Sequence, residues 1–314
     1  MKLIIQIPCY NEEKTLPAAY ADLPRAIEGV DVIETLIIDD GSRDRTVEVA
    51  KELGVNHIVR FPRNRGLARG FMAGIDACLR LGADIIVNTD GDNQYAGDCI
   101  AALVKPIVQG VAEMTVGDRD TDSVQEFSGL KKKLQKLGSR VVRKASHSIV
   151  TDTTSGFRAY SREAAMRLNV LSDYSYTLET IIDAGNRKVA IQNVPVQTNA
   201  KTRDSRLAKS MSSYVVLSSA TIIRNYVARN SFKVFLRLSM FFFVLGLIPA
   251  VRYMVFFFSG SRSGHVQSLI LASILITVSV VLFVFAFLSD MISQNRKIMD
   301  ELLYRVKKQE YDGQ

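Results

Sequence analysis

Short apolar runs alternate with segments of helical period through the first two hundred residues. Residues 3–7, 35–38, 56–60 and 84–88 are runs of four or five positions dominated by Ile, Leu and Val, which is the pattern of buried strands. Between and after them, residues 13–28, a stretch opening at Ser42, residues 66–81 and residues 96–108 carry apolar positions at helical spacing, and Ser42 is placed to cap the second of these. Strand and helix in alternation, with strands apolar on both faces, predict an α/β fold: a mostly parallel sheet covered by helices on either side. In such sheets ligands bind beyond the carboxyl ends of the strands. Polar clusters fall at those ends, at residues 8–12, 39–42, 64–66 and 90–94. Four clusters at one edge predict a site there.

The pattern changes after residue 200. Over 201–237, Lys201, Arg203, Arg206, Lys209, Arg224, Arg229, Lys233 and Arg237 face a single acid, Asp204, while Leu207, Met211, Val215, Ile222 and Tyr226 share one helical stripe. A basic amphipathic helix of this kind suits a membrane interface. A solvated helix packed on a core shows the same pattern, and the following residues favour the membrane. Residues 238–258 are apolar apart from Pro249 and Arg252, and residues 266–288 carry no charge. Spanning a bilayer takes about 20 apolar residues, so a hairpin of two transmembrane helices is expected. Lys233, Arg237, Arg296 and Lys297 flank its outer ends and only Arg262 lies in the linker, which puts both termini in the cytosol. Arg252 is close enough to its helix end to snorkel to the far interface. Residues 289–314 read as a charged, helical cytosolic tail.

Composition agrees with this division. The hydrophobic fraction of 47% is concentrated after residue 237. The net charge of +8 clusters beside the two spans, which points to lipid and phosphate and away from nucleic acid. Cys9, Cys78 and Cys99 form no closely spaced pair, so neither a disulfide framework nor a zinc site is indicated. The apolar run before Pro8 is too short for a signal peptide, and the N-terminal domain is expected to stay in the cytosol.

Candidate chemistry starts with Asp90-Gly91-Asp92. Two carboxylates one glycine apart at a strand end can hold Mg²⁺ or Mn²⁺ between protein and phosphate, and Gln94 could add an amide oxygen. An Asx turn leading into the next helix is the plainer alternative. Asp39 and Asp40 also follow a strand, where a carboxylate could accept from a nucleotide base. Pro8 closes the first strand and turns Tyr10 and Glu12 to the same edge.

The motifs IPCYNEE (7–13), IDDGSRDRT (38–46), NRGLARG (64–70), DGDNQ (90–94), SGFRAYSR (155–162) and TRDSRL (202–207), in this order, resemble family 2 glycosyltransferases of the GT-A (Rossmann-like) fold. The subgroup they are most similar to is the polyprenyl-phosphate sugar transferases, which includes dolichol-phosphate mannose synthases and bactoprenol glucosyltransferases. The resemblance covers about two-thirds of the chain. It implies that Pro8, Tyr10, Glu12, Asp39, Asp40 and Asp90 bind the nucleotide-sugar and that Asp90, Asp92 and Gln94 hold Mg²⁺ or Mn²⁺. It implies a catalytic group of Asp92, Gln94, Arg119 and Arg158, and an acceptor-phosphate site from Lys132, Lys133, Ser155, Arg203, Ser205 and Arg206. The family often writes DAD where this chain has DGD, and the added freedom of Gly91 leaves both carboxylates in place. Glu179 lies in a predicted helix over 174–182, where a structural role is the commoner one.

The organisation expected is therefore a GT-A catalytic domain over 1–200, a basic amphipathic juxtamembrane segment over 201–237, two transmembrane helices over 238–258 and 266–288, and the tail over 289–314. The function implied is inverting, metal-dependent transfer of a hexose to undecaprenyl or dolichyl phosphate at the cytosolic face of the plasma membrane. UDP-glucose is the first choice of donor and GDP-mannose the second. The resemblance also implies a homo-oligomer, a tetramer packed through the anchors being one form. A processive polysaccharide synthase would bring more spans and a QxxRW element, and this chain has no tryptophan. A nucleotide-binding membrane scaffold without turnover is the non-enzymatic alternative, which the complete set of acidic positions disfavours.

Overall fold

The computed structural model describes residues 1–119, 150–170, 176–199, 211–259 and 266–312. Seven strands form one sheet: β1 (Lys2–Cys9), β2 (Val32–Asp39), β3 (His57–Arg60), β4 (Ile85–Asn88), β5 (Met114–Arg119), β6 (Arg158–Ser161) and β7 (Ile191–Val196). Their order is β3-β2-β1-β4-β6-β5-β7. All pairings are parallel except those of β6, which runs antiparallel to β4 and β5. The mostly parallel sheet is as expected. Around it lie α1 (Leu16–Ala21), α2 (Thr46–Glu52), α3 (Leu67–Arg80), α4 (Cys99–Val108), α5 (Arg162–Met166) and α6 (Tyr176–Asn186).

Each sheet face packs its own core. Ile4, Leu36, Ile38, Ile86, Met114 and Val116 meet α3 and α6 through Phe71, Ile75, Tyr176 and Ile181. Leu3, Ile5, Ile7, Ile37, Ile85 and Val87 meet α1 and α4 through Leu16, Ile100, Leu103 and Val104. Alternate residues of β1 thus serve opposite cores, as the period of a strand requires. β1 runs two residues further than its apolar pattern suggests: Pro8 pairs with Ile38 and Cys9 with Asp39. Proline does not end the ladder there because β4 pairs only as far as Gln6, so no partner needs the missing N–H.

Contacts divide the chain into a unit of Met1–Ile222 with Leu303–Gln314 and a unit of Ile223–Leu302. Two long helices, α7 (Met211–Phe258) and α8 (Val266–Asp312), supply the second unit from Ile223 to Leu302 and give their first and last residues, respectively, to the first unit. α7 departs from helical geometry at Asn230. From there to Phe258, and again from Val266, the helices are long and apolar enough to cross a membrane, with mean hydropathies of 2.2 and 2.9. Most of their large apolar side chains are exposed, unlike those of a core helix in a soluble protein. The hairpin is held by a reciprocal pair: Ser239 Oγ donates to Ser279 O and Ser279 Oγ to Ser239 O, each at 2.9 Å.

Candidate active site

The loops that leave β1, β2 and β3 are joined by hydrogen bonds between backbone and side chain. The N–H groups of Asn11, Glu12 and Glu13 donate to Ser42 Oγ, Thr46 Oγ1 and Asp44 Oδ2 at 2.9, 2.9 and 3.1 Å. Arg43 N returns a bond to Asn11 Oδ1 at 2.8 Å. Ser42 is therefore not a helix cap. α2 begins four residues later, where Asp44 Oδ1 accepts from Thr46 N at 3.0 Å. Asp40 spans to the third loop by accepting from Arg65 N at 2.7 Å and Gly66 N at 2.9 Å. Burial raises the Asp40 pKa; those two bonds lower it and Asp39 raises it, with a net rise.

Asp39 is fully buried, and Oδ1 accepts from Ser42 N at 2.9 Å. Its Oδ2 makes no hydrogen bond among the described residues. Arg60 Nε lies 3.3 Å from it, within ion-pair range but outside hydrogen-bond geometry. A buried carboxylate oxygen without a donor is costly in a folded protein and marks a place for a ligand N–H or O–H.

The Asp90-Gly91-Asp92 loop sits against the first of these loops. A Cβ on Gly91 would lie 3.1 Å from Cys9 Sγ and 3.5 Å from Glu12 Cγ. The φ of Gly91 is not positive, so this glycine serves close approach and not conformational freedom. On the other side, a Cβ on Gly156 would lie 3.3 Å from Asp90 Oδ1 and 2.8 Å from the Tyr176 hydroxyl. Beneath them, Asn88 Nδ2 donates to Gly156 O, while Gln6 Nε2 donates to Asn88 Oδ1, both at 2.9 Å. Asp92 Oδ1 accepts from Gln94 N at 3.2 Å in a short Asx-type turn. The Cys9 thiol is pushed well up, first by burial and then by Glu12, Asp39, Asp44 and Asp90, so it stays protonated in a field of carboxylates.

No group of three His, Cys, Asp or Glu side chains able to cage a metal occurs among the described residues. Asp90 and Asp92 carry hard oxygen donors of the kind Mg²⁺ and Mn²⁺ take, and such a pair would leave the remaining positions to phosphate and water, as octahedral sites on nucleotides do. The residues present fit that use.

Arg119, at the end of β5, projects beside this loop. Its Nε donates to Asp152 Oδ2 at 2.6 Å, and its Nη2 donates to Asp152 Oδ1 at 3.1 Å and Thr154 Oγ1 at 3.0 Å. Its Nη1 makes no hydrogen bond among the described residues. Burial works against the Arg119 charge, and Tyr95 and Asp152 more than offset it, so its pKa rises. Burial likewise opposes the Asp152 charge, and Arg119 outweighs it to bring that pKa down. The result is a fixed cation next to a bed of acids.

Residues 4–168 match the model of "Glycosyl transferase family 2". The chain belongs to glycosyl transferase family 2. It is 32% identical over 217 residues to the UDP-N-acetylglucosamine–dolichyl-phosphate N-acetylglucosaminyltransferase of Methanococcus voltae, covering 61% of this chain and 83% of that one. It is 26% identical over 206 residues to the polyprenol monophosphomannose synthase of Mycolicibacterium smegmatis, covering 62% and 76%. Among solved structures, the glucosyl-3-phosphoglycerate synthase of Mycobacterium tuberculosis, bound to Mn²⁺, UDP and glucosyl-3-phosphoglycerate, superposes with a TM-score of 0.53 at 18% identity over 72% of this chain and 78% of that one. That likeness is one of fold, and it is the GT-A fold. The chain is a glycosyltransferase.

In this transferase Pro8, Tyr10, Glu12, Asp39, Asp40, Asp90, Asp92, Gln94 and Arg119 do gather at the strand ends. Two expected site residues are placed otherwise. Arg158 is fully buried and donates to Ser155 O, Thr177 O, Thr180 Oγ1 and Thr153 O. It braces the loop before β6 against α6. Ser155 is also fully buried, and its hydroxyl accepts from Phe157 N at 3.3 Å. Glu179 is buried on α6. Lys132, Lys133, Arg203, Ser205 and Arg206 lie outside the described residues. Asp152 and Tyr95, which the sequence does not single out, hold Arg119: Asp152 by two hydrogen bonds and Tyr95 through its ring, 5.8 Å from the guanidinium. The local signal for Asp152 was its place three residues before Ser155, where its Oδ1 accepts from the Thr154 and Ser155 N–H groups.

Proposed function

We propose that this glycosyltransferase moves a hexose from a nucleotide-sugar to a polyprenyl phosphate at the cytosolic face of the membrane, with inversion at the anomeric carbon. The observation that carries the reading is the gathering of Asp39, Asp90, Asp92 and Arg119 at one sheet edge, in a chain that also holds two helices apolar enough to span a bilayer. Relatives aligned over 61% and 62% of the chain are named for dolichyl and polyprenol phosphate. UDP-glucose remains the first donor to try and GDP-mannose the second; the name of the M. voltae relative adds UDP-N-acetylglucosamine.

In this reading the open Oδ2 of Asp39 accepts from the base of the nucleotide, and Tyr10 and Glu12 line the nucleoside. Asp90 and Asp92, with Gln94, would hold Mg²⁺ or Mn²⁺, which supplies Lewis-acid stabilisation of the departing diphosphate. Arg119, fixed by Asp152 through two nitrogens, offers Nη1 to a phosphate oxygen. Arg203, Ser205 and Arg206, with Lys132 and Lys133, would supply further contacts to the acceptor phosphate. A lipid phosphate is already an anion near neutral pH, so the protein needs no strong base. Its task is to hold donor and acceptor in line and to neutralise charge.

The test is the purified full chain in vesicles containing undecaprenyl or dolichyl phosphate, offered UDP-glucose, UDP-N-acetylglucosamine and GDP-mannose in turn, with the lipid product identified by mass. A lipid-linked hexose is expected from one donor, abolished by EDTA and reduced more than about 100-fold by Asp92→Ala. Absence of lipid-linked product from every donor would overturn the acceptor class. Turnover that survives both EDTA and Asp92→Ala would overturn the metal role.

A further inference from the structure

Beyond β7 the chain turns back across the Asp90-Gly91-Asp92 loop. β7 ends with Val196 paired to Arg119. Tyr95 and Thr198 then form an antiparallel bridge, and Ala96 N donates to Gln197 O at 3.4 Å. Asn199 makes two bonds to consecutive carbonyls of the loop. Its backbone N–H donates to Gln94 O at 2.9 Å, and its side-chain Nδ2 donates to Asn93 O at 3.1 Å.

The residue it grips is in an unusual conformation. Asn93 has φ +55, in the left-handed region, which costs most L-residues about 1–2 kcal/mol and asparagine less. That backbone turn reverses the chain immediately after Asp92, and the Asx turn from Asp92 Oδ1 to Gln94 N depends on it. The loop is therefore held from inside by Asp92 and from outside by Asn199.

We propose that Asn199 is a positioning residue for the cation-binding loop: its amide holds the Asn93 turn, and through that turn the direction of the Asp92 carboxylate. This rests on the reading of Asp90 and Asp92 as metal ligands. The backbone bond to Gln94 survives any substitution at 199, so the side-chain bond can be tested alone. Asn199→Ala removes the donor. Asn199→Asp keeps the shape and sets a carboxylate oxygen against the Asn93 carbonyl, which is worse than no donor. Asn199→Gln keeps an amide donor one methylene longer and is the rescue variant. Thr198→Ala, at an exposed position, is the control.

The experiment is a titration of Mn²⁺ by electron paramagnetic resonance on the full chain with UDP or GDP present, together with thermal melts and the metal dependence of turnover. Asn199→Ala is expected to raise the Mn²⁺ concentration for half-saturation about three- to tenfold, in line with loss of one hydrogen bond. Asn199→Asp should raise it further, Asn199→Gln should restore part of it, and Thr198→Ala should match wild type. At saturating Mn²⁺ the Asn199→Ala turnover should recover to within about twofold of wild type. Should Asn199→Ala fail to fold, the isosteric Asn199→Asp is read in its place. Equal Mn²⁺ affinity in wild type and folded variants, with only the melting temperature lowered, would overturn the proposal and leave the metal reading standing. A wild type that binds no Mn²⁺ in the presence of either nucleotide would overturn both.

Discussion

Among single residues, Asp152 carries the most consequence for its size. Its side chain is 1% exposed and that of its partner Arg119 13%, so the pair is screened little by solvent. Taking away one partner of a buried ion pair costs about 3–5 kcal/mol, because the other charge stays behind. Asp152→Asn is expected to destabilise by an amount of that order and to lower kcat by more than about tenfold, since Arg119 loses the two-point hold that aims Nη1. Thermal melts and steady-state rates at saturating donor check the two effects separately. The pH dependence has a definite sign. The folded pKa of Asp152 lies below the ordinary carboxylate value of about 3.9. Its contribution to stability is therefore full above that value and is lost as the pH falls through the folded pKa. The gap in melting temperature between wild type and Asp152→Asn should stay constant from pH 7 to about 5 and close toward pH 3. A gap that widened on acidification would contradict the assignment.

Between elements, α3 packs closely on the sheet. A Cβ on Gly74 would stand 2.3 Å from Gln6 Oε1 and 2.8 Å from Ile38 Cδ1, so the helix rests on β1 and β2 through a bare backbone. Alanine would gain about 1 kcal/mol of helix preference but overpack the interface at a cost of about 1–3 kcal/mol. With contacts this short the second effect wins, and Gly74→Ala is expected to lower the melting temperature; a rise would show that α3 can slide outward. The strands and α3 were legible in the sequence because burial on both faces, or one clear helical stripe, leaves a local pattern. α1 was expected over 13–28 and has six residues, because Pro24 cannot donate within a helix and disfavours helical geometry at Leu23. The start of α2 moved from Ser42 to Thr46 because the Ser42 hydroxyl is taken by Asn11 N, 31 residues away in sequence. The acids of the site were legible for the same reason as the strands: each follows one directly. Asp152 and Asn199 were not, because what makes them matter is a bond to Arg119 across 33 residues and to Asn93 across 106. Arg158 was legible as a motif residue, while its full burial and its bonds to four backbone and side-chain oxygens were not, since a motif carries residue type and not burial.

For the whole molecule, the end of the chain is part of the transferase unit. The sequence suggests a charged helical tail over 289–314, and its last residues, Leu303–Gln314, group with Met1–Ile222. Tyr304 and Tyr311 are buried in the same core cluster as Phe71 and Cys78. The Tyr304 hydroxyl donates to Glu163 Oε2 at 3.0 Å, under the Arg167 guanidinium, which lies 4.2 Å from its ring centre. Lys307 Nζ pairs with Asp76 at 3.0 Å. Arg162 ties three pieces together by donating to Leu79 O and Ala83 O at the end of α3 and to Tyr311 O. The rings decide the energetics, since burying each large apolar side chain contributes about 1.5–3 kcal/mol and the ion pair Arg80–Glu310 is largely exposed. A chain ending at Leu302 should therefore lose about 3–6 kcal/mol by that measure, an upper figure because the unfolded chain already buries part of these rings. At about 2–4 °C per kcal/mol for a unit of this size, a fall in melting temperature of at least about 5 °C is expected. The chain has no tryptophan, but thiol labelling located by mass offers a direct readout: Cys78 is fully buried in the core that the tail joins and its thiol is held protonated by burial, so modification of Cys78, read apart from that of Cys9 and the half-buried Cys99, follows opening of this core and not of the apolar helices, which contain no cysteine. Tyr304→Ala in the full chain should reproduce a large part of the shift, while Glu310→Gln should give almost none. Equal labelling temperatures for the truncated and full chains would show that the transferase unit closes its core without its last residues.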